Sequence, residues 1–380
     1  MKSDVVVIGG GAIGSSVAYH LKSDPAFGGT ITVVERDPAY TRASSALSAS
    51  SIRQQFSTPL NIHLSRFGIE FLRRARELLG VDLGLREPGY LFLASPAGEA
   101  VLGANHAVQK AEGCAVDLLD PAALKARFPW IAEEGLALAS HGTANEGWFD
   151  GSSLMQGFRN TARALGATYI VDEVVSFDSA GVELKEGGRL EARAVVLAAG
   201  PWSGELAGRS GIALPVEPRR RSVFVFDVRE APGLTPLTID PSGTWFRPEG
   251  RFYLAGTTPT AGNDPPGAPL EVQHQEWDEM VWPALAERVP AFEAAKVVNS
   301  WAGYYEYNTF DQNGIVGRHP RIERLIFATG FSGHGIQQSP AVGRAVAELI
   351  VHGEYRTLDL NTFGYDRLEL GRPIRELNVV

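Results

Sequence analysis

Asp4-Val-Val-Val-Ile8, then Gly9-Gly10-Gly11-Ala12-Ile13-Gly14, a helical stretch, and Thr30-Ile-Thr-Val-Val-Glu35 form the run on which the fold turns. An apolar strand enters Gly9, Gly11 and Gly14, and a second strand ends on an acid, Glu35, 21 residues after the last glycine. In a dinucleotide-binding unit the first glycine permits a tight turn, the second lets the backbone approach a pyrophosphate, and the third lets the helix pack close on the strand. The helix start then faces the phosphates with free N–H groups and a positive dipole end. Glu35 is placed to accept hydrogen bonds from an adenosine ribose. A GxGxxG alone also occurs in ordinary turns; here strand, glycines, helix, strand and acid fall in register, which predicts a nucleotide domain without separating NAD from FAD.

The 380 residues, 44% hydrophobic and 21% charged, suffice for a substantial core, and the length predicts two domains. With a net charge of −9 and no basic run longer than Arg219-Arg220-Arg221, nucleic acid is not an expected partner. No stretch approaches the roughly 18 apolar residues of a membrane span. A first strand at Asp4 is expected to leave no room for a cleavable signal. The single cysteine, Cys114, excludes an internal disulfide, a CxxC redox pair and a Cys-based zinc site. No cluster of His, Asp and Glu has metal-ligand spacing, so no metal is expected. These features predict a reducing compartment, most simply the cytoplasm, which a processed organellar protein would match equally. Six lysines against 29 arginines read as genome composition.

Two distant segments read as further pieces of the nucleotide domain. Ala192 to Ala199 is a buried strand ending in the small-residue turn Gly200-Pro201-Trp202. Arg324 to Thr329 is another, followed by Gly330-Phe-Ser-Gly333-His334-Gly335 and a helix from Ile336 to His352 with Val342, Val346, Leu349 and Ile350 in helical period. A nucleotide domain assembled from 1–86, 149–214 and 312–380 implies that 87–148 and 215–311 are inserted as a substrate domain. The insertions hold short alternating runs bounded by Pro and Gly: Gly89 to Ala94, Ser222 to Asp227, Trp245 to Glu249, Arg251 to Ala255 and Trp301 to Tyr307. They predict a mostly antiparallel sheet, interrupted by one helix at about Val272 to Val289. The fold class is therefore α/β, with an inserted α+β domain.

Val5 to Gly14, Glu35-Arg36, Ala43-Ser44-Ser45, Ala198-Ala-Gly-Pro-Trp202, Thr309-Phe-Asp-Gln-Asn-Gly-Ile-Val-Gly317 and Ala328-Thr-Gly-Phe-Ser-Gly-His-Gly335 follow one another along nearly the whole chain. Together they resemble the D-amino acid oxidase superfamily of FAD enzymes, in its monomeric sarcosine oxidase, glycine oxidase and D-amino acid dehydrogenase branch. Arg53-Gln-Gln-Phe56, Glu146-Gly-Trp-Phe149, Trp301-Ala-Gly-Tyr-Tyr305 and Gln337-Gln338 are similar, more narrowly, to the mitochondrial FAD-dependent oxidoreductase domain proteins linked to respiratory complex I assembly. The resemblance implies a Rossmann-like FAD-binding domain of the glutathione-reductase type. Its FAD contacts carry over to Gly9, Gly11, Ala12, Ile13, Gly14, Glu35, Arg36, Ser44, Ser45, Gly200, Trp202, Gly333, His334, Gly335, Ile336 and Gln337. Backbone N–H groups of Gly335 and Ile336, at a helix start, would stabilise the charge that reduction places near flavin N1 and the C2 carbonyl. The cysteine that links flavin covalently in the sarcosine branch corresponds to Tyr304, so FAD is expected without a covalent bond.

The same resemblance places the substrate. The arginine that grips the carboxylate corresponds to Arg53, whose planar fork suits two parallel hydrogen bonds. The second ligand, a lysine in sarcosine oxidases, corresponds to Gln337, a weaker neutral donor. Arg220 or Arg221 is a possible second grip, and alternation along a strand lets one of them face the pocket. Tyr305 is placed in the pocket because its strand leads into the Thr309 segment, whereas His63 and His319 read as structural. The lysine that helps oxygen accept electrons corresponds to Leu254, and no lysine occurs from residue 186 to 295, although Arg251 could supply a charge if it pointed inward. The implied reaction is hydride removal from the carbon next to nitrogen in a small secondary or N-carboxymethyl amino acid, with oxygen or a quinone as electron acceptor. Oxidation of a 2-hydroxy acid and a non-enzymatic role as an assembly flavoprotein stand beside it.

Overall fold

In the computed structural model, which describes residues 2–377, the strand Lys2–Ile8 lies at the middle of an eight-stranded sheet. It pairs in parallel with Ile31–Glu35 on one side and Gly188–Leu197 on the other. Beyond these come Thr168–Val171 on the first side and Leu325–Thr329 on the second, both parallel, with Ile315–Arg318 as an antiparallel edge. A hairpin of Val174–Asp178 and Gly181–Leu184 attaches to the early part of Gly188–Leu197. Parallel strands covered on both faces need apolar residues at every position, and Val5, Val6 and Val7 are all buried. Val5, Val7 and Val33 pack under the helices Ala12–Ser23, Gly151–Ala164 and Gly335–His352; Val6, Ile8 and Val34 pack against the hairpin and the helix Ser203–Arg209.

The fingerprint glycines are spent on close approach. Gly9 has φ +98°, and a Cβ there would lie 2.3 Å from the Ala198 carbonyl oxygen. One on Gly14 would lie 1.9 Å from the Gly9 carbonyl oxygen, which is how the first helix starts directly above its strand.

The second sheet also has eight strands, in the order Lys296–Asn308, Val216–Asp227, Phe252–Gly256, Trp245–Glu249, Leu237–Ile239, Tyr90–Ala94, Leu138–Gly142 and Val116–Leu119. Only the Leu237–Ile239 and Tyr90–Ala94 pair is parallel, so the sheet is mostly antiparallel and draws on both inserted segments. The expected helix appears as His274–Glu276, a π turn at Trp277–Val281 and Trp282–Arg288. The expectation of a single helix is corrected by two more, Glu99–Ala111 and Pro121–Arg127. The buried residues of the first are Leu102, Asn105 and Gln109, so two polar side chains interrupt the apolar period. The second begins on a readable signal: Asp120 accepts a hydrogen bond from the Ala123 N–H at 2.7 Å, and Pro121 follows it.

Candidate active site and cofactor cleft

Two cavities meet at a neck lined on both sides by Ala12, Ile13, Ser44, Ser45 and Glu306. Of the sequence-predicted cofactor residues, Gly9, Gly11, Glu35, Arg36, Gly200 and Trp202 line the first cavity, and Gly333, His334, Gly335, Ile336 and Gln337 line the second with Arg53 and Tyr305. Gly14 lines neither; its place is the helix–strand contact.

The first cavity has the parts a dinucleotide needs. A Cβ on Gly11 would meet only Ser45 Oγ, at 3.4 Å, so the backbone lies open to the cavity. The Ala12 N–H donates to Ser45 Oγ at 3.0 Å. Glu35 accepts from the Gly10 N–H and the Asp37 N–H, each at 2.8 Å, which aims its carboxylate along the end of its strand. Burial nevertheless raises its pKa, because desolvation outweighs these bonds. The Arg36 guanidinium lies 4.1 Å from the Trp202 ring centroid and closes one wall. Ser44 Oγ is buried at the neck without a hydrogen-bond partner among the described residues. An orphaned hydroxyl, an exposed glycine backbone and a helix start converging on one trough fit the residues to FAD, whose flavin end would reach the second helix start at Gly335.

In the second cavity Arg53 is buried. Its Nη1 donates to the Gln55 carbonyl at 2.7 Å, its Nη2 lies 2.9 Å from His334 Nε2, and its backbone N–H donates to Gln337 Oε1 at 3.0 Å. The Phe56 and Phe92 rings flank the guanidinium at 4.2 and 5.2 Å. Burial and the neighbouring Arg53 charge push the His334 pKa down to about 3, so the imidazole is neutral and accepts at Nε2. Sequence reasoning valued His334 for its neighbours' backbone; the ring itself holds Arg53. Gln337 lines the cavity, and its carbonyl oxygen accepts from the Arg53 N–H and, at 3.4 Å, from Ser65 Oγ, so it also positions the segment that carries the arginine.

Behind Arg53 lies a residue whose role the sequence reading did not assign. Glu146 accepts from the Gln54 and Gln55 N–H groups at 2.6 and 3.0 Å and from Gln55 Nε2 at 2.9 Å. A Cβ on Gly142 would lie 1.8 Å from its Oε2, so a glycine clears the space. Tyr90, also overlooked, lines the cavity beside Arg53.

Arg221 faces the cavity, but its fork is taken by Asp264 at 2.8 and 3.1 Å. Arg220 is turned away to the Pro269 carbonyl at 3.1 Å. The alternation holds, and the second grip is already occupied. The Tyr305 ring lies on Gly333, where a Cβ would come within 2.5 Å of Tyr305 Cε2. Leu254 does not line the cavity; it packs with Val223 and Val225, and Thr257 and Thr258 further along reach the site instead. Arg251 is exposed and stacks on Phe252 at 4.4 Å, so it brings no charge inward. No lysine lines either cavity among the described residues. Cys114 packs with Phe56, Ile62 and Val116 and lines neither. His63 pairs with Glu112 at 2.7 Å, and His319 Nδ1 accepts from the Arg321 and Ile322 N–H groups. Among the described residues no His, Cys, Asp and Glu group could hold a metal ion, and no helix is long and apolar enough to cross a membrane.

The chain is 46% identical over 424 residues to FAD-dependent oxidoreductase domain-containing protein 1 of Xenopus laevis, an alignment covering 100% of this chain and 85% of that protein. Among solved structures, L-proline dehydrogenase from P. horikoshii matches with a TM-score of 0.87 at 26% identity, covering 98% of this chain and 99% of that one. Glycine oxidase from Geobacillus kaustophilus matches with a TM-score of 0.82 at 27% identity, covering 96% and 98%. Residues 4–349 match the family described as DAO, FAD dependent oxidoreductase. With a cleft that fits FAD and a match over most of its length, the chain belongs to the DAO family of FAD-dependent oxidoreductases.

Proposed function

We propose that the protein oxidises the carbon–nitrogen bond of a small amino acid, with a secondary or N-carboxymethyl amine as the preferred substrate. The observation that carries this is Arg53: a buried guanidinium held between Phe56, Phe92 and neutral His334 on the wall of the cavity that ends at the flavin-side helix start. A substrate carboxylate meeting it there forms charge-assisted hydrogen bonds out of bulk water. Tyr305 walls the cavity, and the apolar lining of Val223, Leu237, Ile239 and Trp245 suits a carbon substituent on the nitrogen. Bound FAD would supply the two-electron acceptor for the departing hydride. The chain's own residues hold the carboxylate, fix the orientation of the carbon that reacts and keep the site apolar. The imine product then hydrolyses in water.

The names of two relatives support a small amino acid: one is a glycine oxidase and the other an L-proline dehydrogenase, and proline is a secondary amine. A cavity lined without lysine supports a quinone or similar acceptor over oxygen. Buried Cys114, the only cysteine, supports a reducing compartment such as the cytoplasm. Anaerobic bleaching of the flavin by sarcosine, proline and iminodiacetate, set against glycolate and lactate, tests the reading. Bleaching by hydroxy acids alone would replace amine by alcohol oxidation. Bleaching by neither set, with a stable protein partner, would favour the assembly role.

A further inference from the structure

Glu306 is the acid that both cavities share among the described residues. It lies on the strand Lys296–Asn308, is buried, and lines the neck with Ala12, Ile13, Ser44 and Ser45. Its Oε2 accepts from Thr329 Oγ1 and from the Gly330 N–H, both at 3.1 Å. A Cβ on Gly335 would come within 2.9 Å of its Oε1. No described ion pair involves it, and the charged groups on the elements around it are turned elsewhere. Glu217 and Arg219 pair with each other, across the strand from Tyr307 and Tyr305 on the opposite face of the sheet. Arg220 reaches Pro269, Arg36 and Arg42 lie over the Trp202 ring at 4.1 and 5.7 Å, Glu205 pairs with Arg209, and His334 holds Arg53.

A buried carboxylate with no counter-charge favours its protonated form. Desolvation accordingly pushes the Glu306 pKa up to about 7. The neck joins the cavity at the fingerprint glycines to the cavity at Gly335, so bound FAD would pass its linker, rich in hydroxyl and phosphate oxygens, through it. An ionised carboxylate at that point would face acceptors and negative charge; a carboxylic acid would be a donor. Ser44 Oγ, orphaned on the same neck, marks a second polar group there that the protein leaves without a partner.

We propose that Glu306 binds FAD as the neutral acid, donating a hydrogen bond to a cofactor oxygen in the neck, and that loading the apoprotein takes up one proton from solvent. The sign follows from linkage. Free apoprotein loses the proton as pH rises through about 7, whereas the loaded form keeps it to higher pH. FAD affinity is then level below that pH and weakens by up to about tenfold per pH unit above it.

The test uses apoprotein and FAD itself. Proton uptake on mixing in weakly buffered indicator dye at about pH 8, with FAD affinity measured from fluorescence between about pH 6 and about pH 9, gives two readouts that do not depend on turnover. Wild-type protein is expected to take up close to one proton per FAD and to show the weakening. E306Q, which mimics the neutral acid, is expected to take up none and to bind FAD with level affinity. E35Q, altering the other acid of raised pKa in the trough, is expected to keep the wild-type slope, so the assignment survives even if E306Q fails to fold. Wild-type loading without proton uptake overturns the proposal, as does a slope that persists in E306Q or disappears in E35Q.

Discussion

Arg53 Nη2 and His334 Nε2 lie 2.9 Å apart, and the contact is a hydrogen bond because the imidazole is uncharged. A neutral imidazole carries one proton, and Nε2, facing the guanidinium, is the nitrogen that accepts. Arg53 is thereby oriented by the residue at the N-cap position of the helix Gly335–His352, 281 positions away in the chain.

Replacing His334 with Ala removes that acceptor. KM for a carboxylate substrate is expected to rise by about tenfold or more, up to about a hundredfold, the effect of losing a charge-assisted hydrogen bond of about 1.5–3 kcal/mol. In the wild type, an imidazole with a pKa of about 3 predicts no histidine inflection in KM between about pH 5 and about pH 8. An inflection near about pH 6.5 that vanishes in H334A would contradict the neutral ring.

Arg53→Lys keeps the charge and loses the fork. Binding of a carboxylate inhibitor is expected to weaken by about 1.5–3 kcal/mol while the flavin spectrum stays intact. Inhibitor affinity within about twofold of wild type, read by spectral titration, would remove Arg53 from the site.

Glu146 links the site to stability. Its pKa is about 7 in the fold against 4.5 for the unperturbed group, raised by burial. Its contribution is therefore fully present below about pH 4.5 and lost as pH rises through about 7. E146Q has no such proton to lose, so its stability relative to wild type should improve between pH 5 and pH 8 by up to about 3 kcal/mol. Urea unfolding of both apoproteins at the two pH values measures the difference; an unchanged gap would show that Glu146 titrates normally.

Glu35→Ala leaves the Gly10 and Asp37 N–H groups without their acceptor and removes the acid from the nucleotide end of the trough. FAD affinity is expected to fall by about 1.5–3 kcal/mol. Unchanged affinity in a fluorescence titration would exclude a ribose contact.

Reduced enzyme should react slowly with oxygen and faster with a quinone or dye, because no lysine lines the cavity to stabilise developing superoxide. Stopped-flow mixing with air-saturated buffer checks this, and reoxidation as fast as turnover would overturn it.

The nucleotide-binding half was legible because its constraints fall on the backbone: only glycine tolerates the contacts at Gly9 and Gly14, and such constraints recur at fixed spacing. The antiparallel sheet was legible from its alternating runs. What escaped depends on partners remote in sequence. Nothing near Arg221 says that Asp264 takes its fork, and nothing near Arg53 says that Glu146 braces the segment after it. Leu254, carried over by resemblance from a lysine position, packs with Val223 and Val225 and misses the cavity, because a match along a strand does not fix which face each residue takes. The polar buried face of Glu99–Ala111 hid a helix for the same reason: Gln109 is buried against the Phe56 carbonyl, a contact that no local pattern records.

Gly333 carries Tyr305 on its surface and Gly335 sits against Glu306, while the Ser332 N–H donates to the Glu306 carbonyl and the Asn308 N–H to Ser332 Oγ. The tyrosine strand of one sheet and the glycine turn of the other are thus seamed into one rigid block at the reacting end. Hinge opening there would tear two hydrogen bonds and strip an aromatic ring from its seat. The shape of that end of the cavity is therefore set by contacts between the two sheets and exists before anything enters it.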